Sequence, residues 1–332
     1  MQLHLNTYGT YLHVKEEMFE IKIKQEDGST KKTQVAAHKV KSIWIGLGIA
    51  LSSDAVKLAL THNIDMVFLD FDGKPLGRFW HSKLGSTTKI RRQQLVVSDS
   101  AFGLQLIKIW LTEKIGNQIN FYITLKKHRA KQAELIDESI EKASVYIDKI
   151  NALEAQNTNL VADQLRAFEG NAGRIYFQTL SKLLPKQYQF EKRSFRPAED
   201  VFNAFLNYAY GILYARVERA LILAGLDPYV GILHRDDYNY KSMVYDFIEP
   251  FRIFAEAPTY RLFSSKKVKI EHTEKIENGF TLVKPGKELL VETFNQYLEG
   301  DKVRYKNKNQ SRYNIMQQKA HELANQLLQQ ST

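Results

Sequence analysis

The sequence predicts an α+β chain: a small mainly-β N-terminal domain, residues 1–84, followed by a larger all-α C-terminal domain, residues 85–332. Three observations point there. Phe19, Ile21 and Ile23 alternate with Glu20, Lys22 and Lys24, the period-two signature of a half-buried strand. Ile136, Ile140, Ala143, Ile147 and Ile150 step by four and three, which lays one apolar stripe along a helix. Between these patterns, Leu84-Gly85-Ser86-Thr87-Thr88 has the small and polar residues of a linker.

In chain order, Asp27-Gly28 supplies a hairpin turn after the first alternating segment, and Thr33 to Ala36 returns beside it. Val40 to Ile45 reads as another strand. Ser53 or Asp54 is the expected cap of a short helix through Ala55, Leu58 and Leu60. Ile64 to Asp70 reads as a buried strand closed by Asp72-Gly73. Beyond the linker and the striped helix, Leu160 to Leu184 reads as a second helix. Pro197 is expected to start a third, with Gly225 ending it and Pro228 just beyond. Ser242 to Phe254 reads as a fourth, interrupted by Pro250. Glu288 to Leu298 and Tyr313 to Leu328 read as late helices. Lys266 to Lys287 is polar and without a clear period. The Lys/Asn/Gln-rich stretch from Lys302 to Asn309 is expected to be mobile. No internal repeat is visible.

Composition bounds the function. With 332 residues, 44% hydrophobic and 25% charged, the chain has material for two ordinary globular cores. The absence of cysteine excludes disulfides and thiolate zinc sites, and it agrees with a reducing cytosol. The first residues, MQLHLNTYGTYLHVKEE, lack the basic-then-apolar order of a signal peptide. The longest near-apolar run, Ile43 to Leu51, is too short to span a bilayer. A soluble, cytoplasmic protein with no membrane association is expected. The net charge is +10, and from Arg78 to Lys131 eleven Lys and Arg face only Asp99 and Glu113. From Asp301 onward six basic residues face two acidic ones. Such clustering suits a polyanionic partner, although a solvated surface gives the same count.

Four side chains have the character of metal ligands. Glu169, in AFEGNAGRIYF, shares a helix face with Ala172, Gly173 and Tyr176, small or flat neighbours that leave room beside a carboxylate. Gly170 and Gly173 in one turn call for a close backbone contact or a kink. His234 closes the apolar run of GLDPYVGILH. Asp246 and Glu249, three apart in SMVYDFIEPFR, point to one side of a helix that is otherwise apolar. Buried carboxylates need a counter-charge or a metal, whereas on an exposed helix Glu249 would simply pair with Arg252, three residues on. A helix-surface glutamate, a core histidine and a surface salt bridge are the ordinary alternatives for these residues. Oxygen ligands with one imidazole favour Mg2+ or Mn2+ over zinc, and such an ion suits phosphodiester chemistry.

In this order, EGNAGRIYF, FRPAEDVFNAFLNYAYGILYARVERALILAGLDPYVGILH and KSMVYDFIEPFR resemble the CRISPR-associated integrase family that captures new spacers, numbered first among the CRISPR-associated proteins. The resemblance implies that Glu169, His234 and Glu249 are the catalytic metal ligands, and that Asp246 supports them. It places Arg252 near the active site as a phosphate contact. Lys192, Arg193 and Arg196 are expected, less directly, to guide DNA. It further implies a homodimer formed through the β-rich domain. Two such dimers would flank a small ferredoxin-like CRISPR adaptation partner. The implied activity is integration of short DNA fragments into a repeat array by 3′-hydroxyl transesterification. The residues alone leave open a general metal-dependent nuclease on branched or single-stranded DNA or RNA, and a non-catalytic DNA-holding subunit. The stretch after Phe254 carries no motif that assigns it.

Overall fold

The structure is a computed structural model that describes residues 1–25, 27–71, 75–79, 87–234 and 240–330. The expected turn at Asp72-Gly73 and the linker residues Leu84, Gly85 and Ser86 lie outside these. The chain forms two compact units, Met1–Gly85 and Ser86–Thr332.

The first unit is β-rich, as its alternating pattern requires. Its elements are β1 (Gln2–Leu5), β2 (Tyr11–Lys15), β3 (Met18–Lys24), β4 (Thr30–Ala36), β5 (Ser42–Ile45), β6 (Ala50–Leu51), α1 (Ser53–Thr61), β7 (Asp65–Leu69) and β8 (Pro75–Phe79). They build two four-stranded sheets, ordered β4-β3-β2-β6 and β1-β5-β7-β8. β3 runs antiparallel to β2 and β4, while β1, β5 and β7 are parallel. Leu12, Phe19, Ile43 and Met66 fill the core between the sheets and α1. Gly28, at φ +78°, closes the β3–β4 hairpin where the sequence placed it. Two local expectations fail. The cap of α1 is Ser52, whose hydroxyl accepts from the Ala55 N–H at 3.2 Å, so Ser53 is already helical. Glu20 does not face water: it is buried, opposite His13 in the β2–β3 ladder, and bonded to His13 Nε2 at 2.7 Å and Gln34 Nε2 at 3.2 Å. Cross-strand pairing has overridden the simple alternation.

The second unit is helical. It contains α2 (Thr87–Ser98), α3 (Ala101–Lys126), α4 (Ala133–Asn151), α5 (Ala162–Lys182), α6 (Val201–Leu223), α7 (Ser242–Phe247), α8 (Ile253–Ser264), β9 (Thr273–Ile276), β10 (Gly279–Leu282), α9 (Lys284–Asn295), β11 (Lys302–Tyr305), β12 (Lys308–Ser311) and α10 (Arg312–Gln329). Thr87 and Thr88, read as linker, open α2. The stripe of α4 packs inward as expected, with Ile136 and Ile150 fully buried. α3 and α6 are buried over most of their circumference and form the centre of the unit. Pro197 does not start α6. It follows a cis peptide bond, and Asp200 caps the helix instead, accepting from the Asn203 N–H at 2.8 Å. Gly225, at φ +82°, ends the same helix as expected. Pro250 lacks an N–H, so the segment that begins at Ser242 splits into α7, a 3₁₀ turn over Glu249–Phe251, and α8, which continues to Ser264. The polar stretch Lys266–Lys287 contains the β9–β10 hairpin, and Lys302–Asn309 forms most of the β11–β12 hairpin rather than a structureless segment. The helical unit therefore carries two short ribbons. No single helix among the described residues is long and apolar enough to cross a membrane.

Asp200 satisfies the first free N–H groups of the central helix, so Asp200→Ala should lower unfolding free energy by about 1 kcal/mol. Urea denaturation of the two proteins measures the difference.

Candidate metal centre

Four charged side chains from four elements meet inside the helical unit. α3 supplies Lys114, α5 supplies Glu169, the 3₁₀ turn supplies Glu249, and Arg252 stands at the start of α8. The Lys114 ammonium contacts Glu169 Oε1 and lies 2.7 Å from Glu249 Oε2. Arg252 grips the other oxygen of Glu249, donating from Nε at 2.9 Å and from Nη2 at 2.7 Å. Its third contact is the Tyr214 hydroxyl at 3.4 Å, and its guanidinium lies 5.3 Å from the Tyr210 ring centroid. Lys114 and Glu249 are both 5% exposed. Burial alone would drive the Glu249 carboxyl toward its neutral form. The Arg252 and Lys114 charges outweigh that and pull it down to about 2. Lys114 shows the reciprocal balance: burial disfavours its charge, and the two glutamates raise it above the usual lysine value.

His234 and Asp246 form a second pair. Asp246, 1% exposed on α7, accepts the Ile232 N–H at 2.6 Å, the Leu233 N–H at 3.0 Å and the His234 N–H at 3.2 Å. It also takes His234 Nδ1 at 2.5 Å. A carboxylate there places the ring proton on Nδ1 and leaves Nε2 as the nitrogen with a free lone pair, the form a metal ligand needs. Gly231 permits the approach, since a Cβ on it would meet Ser242 Cβ at 2.4 Å. Gln94 of α2 braces the same loop, donating to the Asp227 carbonyl at 3.0 Å and accepting the Asp227 N–H at 2.8 Å.

A cavity of about 620 Å³ joins the two pairs. Lys114, Glu169, His234, Arg252, Arg196 and Glu256 all line it, and Glu249 touches two of these residues. Gly173 also faces the cavity. A Cβ there would come only within 4.0 Å of Glu169 Oε1, and α5 continues unbroken from Ala162 to Lys182 through Gly170 and Gly173. The small residues leave space beside the carboxylate. Among the three basic residues before α6, Lys192 is exposed and pairs with Glu199 at 3.3 Å, and Arg196 is exposed at the cavity. Arg193 turns inward: it donates to the Ser194 carbonyl, Asn203 Oδ1 and Asn207 Oδ1 and stacks 4.5 Å from Phe195. The basic run from Arg78 to Lys131 is likewise partly used inside the fold, with Lys108 on the Asn151 and Leu153 carbonyls and Lys126 on Asp137.

Among the described residues no three His, Cys, Asp or Glu side chains stand ready-made around one point. The donors nevertheless fit a hard divalent cation. Two carboxylates from separate elements already share one positive charge. The buried Glu249 Oε2 meets that charge yet has no well-directed hydrogen bond. His234 lines the same cavity with its Nδ1 already occupied. Sequence reasoning missed Lys114 and Glu256. Lys114 was legible as the charged member of a stripe through Ile107, Leu111, Gln118 and Tyr122, four positions that are otherwise apolar or buried. Glu256 is fully buried and accepts from the Tyr210 hydroxyl at 2.6 Å and from Gln118 Nε2 at 3.3 Å.

Comparison with known proteins gives the lineage of the chain. A family model described as CRISPR associated protein Cas1 matches residues 3–296. A curated relative, CRISPR-associated endonuclease Cas1 1 of Archaeoglobus fulgidus, is 34% identical over 320 residues, covering 93% of this chain and 91% of its own. A casposase bound to its integration product superposes with a TM-score of 0.80 at 24% identity, over 99% of this chain and 91% of that one. The Cas6-RT-Cas1–Cas2 complex matches with a TM-score of 0.75 at 20% identity, over 99% of this chain and 35% of that one.

Two outcomes test the geometry. Glu249 is ionised in the fold down to about pH 2, below the 4.5 of a free glutamate, so its contribution is complete above pH 4.5 and is lost as pH falls toward 2. Acid titration of unfolding free energy should fall by a few kcal/mol more across that window in the parent than in Glu249→Gln. Asp246→Asn removes the charge that collects three main-chain N–H groups and the imidazole. It should cost at least about 2 kcal/mol in urea denaturation and shift the His234 Nδ1 proton in an NMR spectrum.

Proposed function

The chain belongs to the Cas1 family of CRISPR-associated proteins, and from that premise we propose that it is a metal-dependent DNA integrase and endonuclease of CRISPR adaptation. The observation that carries the reading is the pairing of a buried carboxylate, Glu249, and a part-exposed one, Glu169, with a carboxylate-oriented imidazole around one basic cavity. Glu169, His234 and Glu249 would hold Mg2+ or Mn2+, and such an ion polarises a scissile phosphate and steadies the leaving oxygen.

The chain's own groups account for the remaining requirements. Arg252 holds Glu249 in one orientation through two N–H donors, which makes it a clamp on the carboxylate more than a phosphate contact. Asp246 fixes the tautomer and direction of His234. Exposed Arg196 at the cavity would meet a DNA phosphate, exposed Lys192 would do so by giving up its surface pair with Glu199, and Arg193 shapes the wall behind them. In the reaction, a DNA 3′-hydroxyl attacks a phosphodiester at the edge of a repeat. One P–O bond forms, one breaks and a new 3′-hydroxyl leaves. The bond count is unchanged, so no nucleotide cofactor is needed. The β-rich unit would make the homodimer, and a small ferredoxin-like adaptation partner would complete the assembly; the name of a structural neighbour, a Cas6-RT-Cas1–Cas2 complex, supports a partner protein.

Strand transfer of a labelled 3′-hydroxyl DNA into a repeat-bearing plasmid tests the proposal. Glu169→Ala, His234→Ala and Glu249→Ala should each cut joining by roughly 10²-fold or more, and filter binding to the same DNA should change only a few-fold. Cleavage of forks or single strands without a joined product would replace integration by general nuclease activity. Binding without any reaction in manganese would reduce the protein to a DNA-holding subunit.

A further inference from the structure

We propose that Lys114 is a resident counter-ion: it joins Glu169 to Glu249 when no divalent cation is present, and it must withdraw into the cavity when one binds. The inference rests on the metal reading of the preceding section and adds a residue to it.

The position of Lys114 is the first reason. It lies in the middle of α3 on the side that packs into the core, where a lysine is rarely found unless its charge is matched. Both of its carboxylate partners are the residues best suited to hold a metal. The charge count is the second. Lys114 and Arg252 carry two positive charges against two negative ones on Glu169 and Glu249, so the group is neutral as it stands. A divalent ion placed between the same carboxylates would leave two uncompensated positive charges with the ammonium alongside. The third reason is the difference between the two oxygens of Glu249. Oε1 is fixed by two directed hydrogen bonds from Arg252. Oε2 has the nearby ammonium at 2.7 Å but no well-directed hydrogen bond. One oxygen is built into the scaffold, and the other meets only an off-axis ammonium, which another cation can replace.

Lys114 also has somewhere to go. Its side chain lines the 620 Å³ cavity, and a four-carbon stem can swing without moving the helix. The displaced ammonium would then face the space where the proposed DNA phosphate lies. Binding the metal would in this way deliver a second cation to the substrate.

Manganese affinity, read by calorimetry, and melting temperature, read with and without manganese, decide the matter. Lys114→Met should bind manganese about tenfold or more tightly than the parent, because the competing charge is gone. Without metal it should melt several degrees lower, because the two carboxylates then repel, and manganese should restore most of the loss. Lys114→Arg keeps the charge and should bind manganese no tighter than the parent. If Lys114→Met does not fold without metal, Lys114→Gln, which is neutral but can still donate to a carboxylate, takes its place. Unchanged or weaker manganese binding in the neutral variants, or their failure to fold even with manganese, would overturn the proposal. The metal reading fails separately: its failure would show as a parent that does not bind manganese, or binds it equally well after His234→Ala.

Discussion

The helical unit is organised around the burial of charge at Glu249. A carboxylate 5% exposed cannot stay ionised without compensation, and the fold surrounds it with Arg252 on one oxygen and Lys114 near the other. That need links α3 and α8 to the 3₁₀ turn between α7 and α8, and through Lys114 it draws in Glu169 of α5. Once those elements are locked together, the cavity beside them has fixed walls. Pro250 contributes by breaking the helix where Glu249 must turn inward, and its carbonyl, accepting from Asn117 at 2.8 Å, ties the break back to α3.

The two halves of the centre are built by different physics. Glu169 and Glu249 are held by opposite charge on long side chains. Such contacts tolerate exchange of one cation for another. His234 is held by a short carboxylate that also collects three backbone N–H groups, and such contacts fix direction. The proposed site would combine one rigid nitrogen donor with a carboxylate clamped by Arg252 and a second, Glu169, that meets Lys114. Glu256 adds a further buried acid, satisfied by hydroxyl and amide donors, which ties Tyr210 and Gln118 to the same cavity.

Much of this was legible in the residues. The strands that contain Ile21, Val35, Ile43 and Val67, the stripe of α4, the stop at Gly225 and the break at Pro250 each follow from local rules, whereas β1, β2, β6 and β8 carried no such signal. The ligand-type residues were legible one by one, because charged groups in apolar segments stand out. Their relations were harder to read. Nothing near Glu169 announces Lys114, which lies fifty-five positions earlier in sequence. α2 escaped notice because two of its four buried positions, Thr87 and Gln94, are polar while the apolar Leu95 and Val96 are exposed, and α3 because its buried face is broad, which blurs the one-sided period. Glu20 and Ser52 were misplaced for a smaller reason: a cross-strand partner and a one-residue shift of cap are settled by geometry that composition does not encode. The hairpins after α8 were missed because strands only four residues long give alternation too little room to register.

The loop before His234 has one more implication. Asp246 reads it through main-chain N–H groups at Ile232 and Leu233, which any amino acid but proline can offer. Those two positions are therefore free to drift among apolar residues over evolutionary time with little consequence for the imidazole. Gly231 is not, because its neighbour Ser242 leaves no space for even a methyl group. In this loop, heritable constraint falls on the residue with no side chain at all.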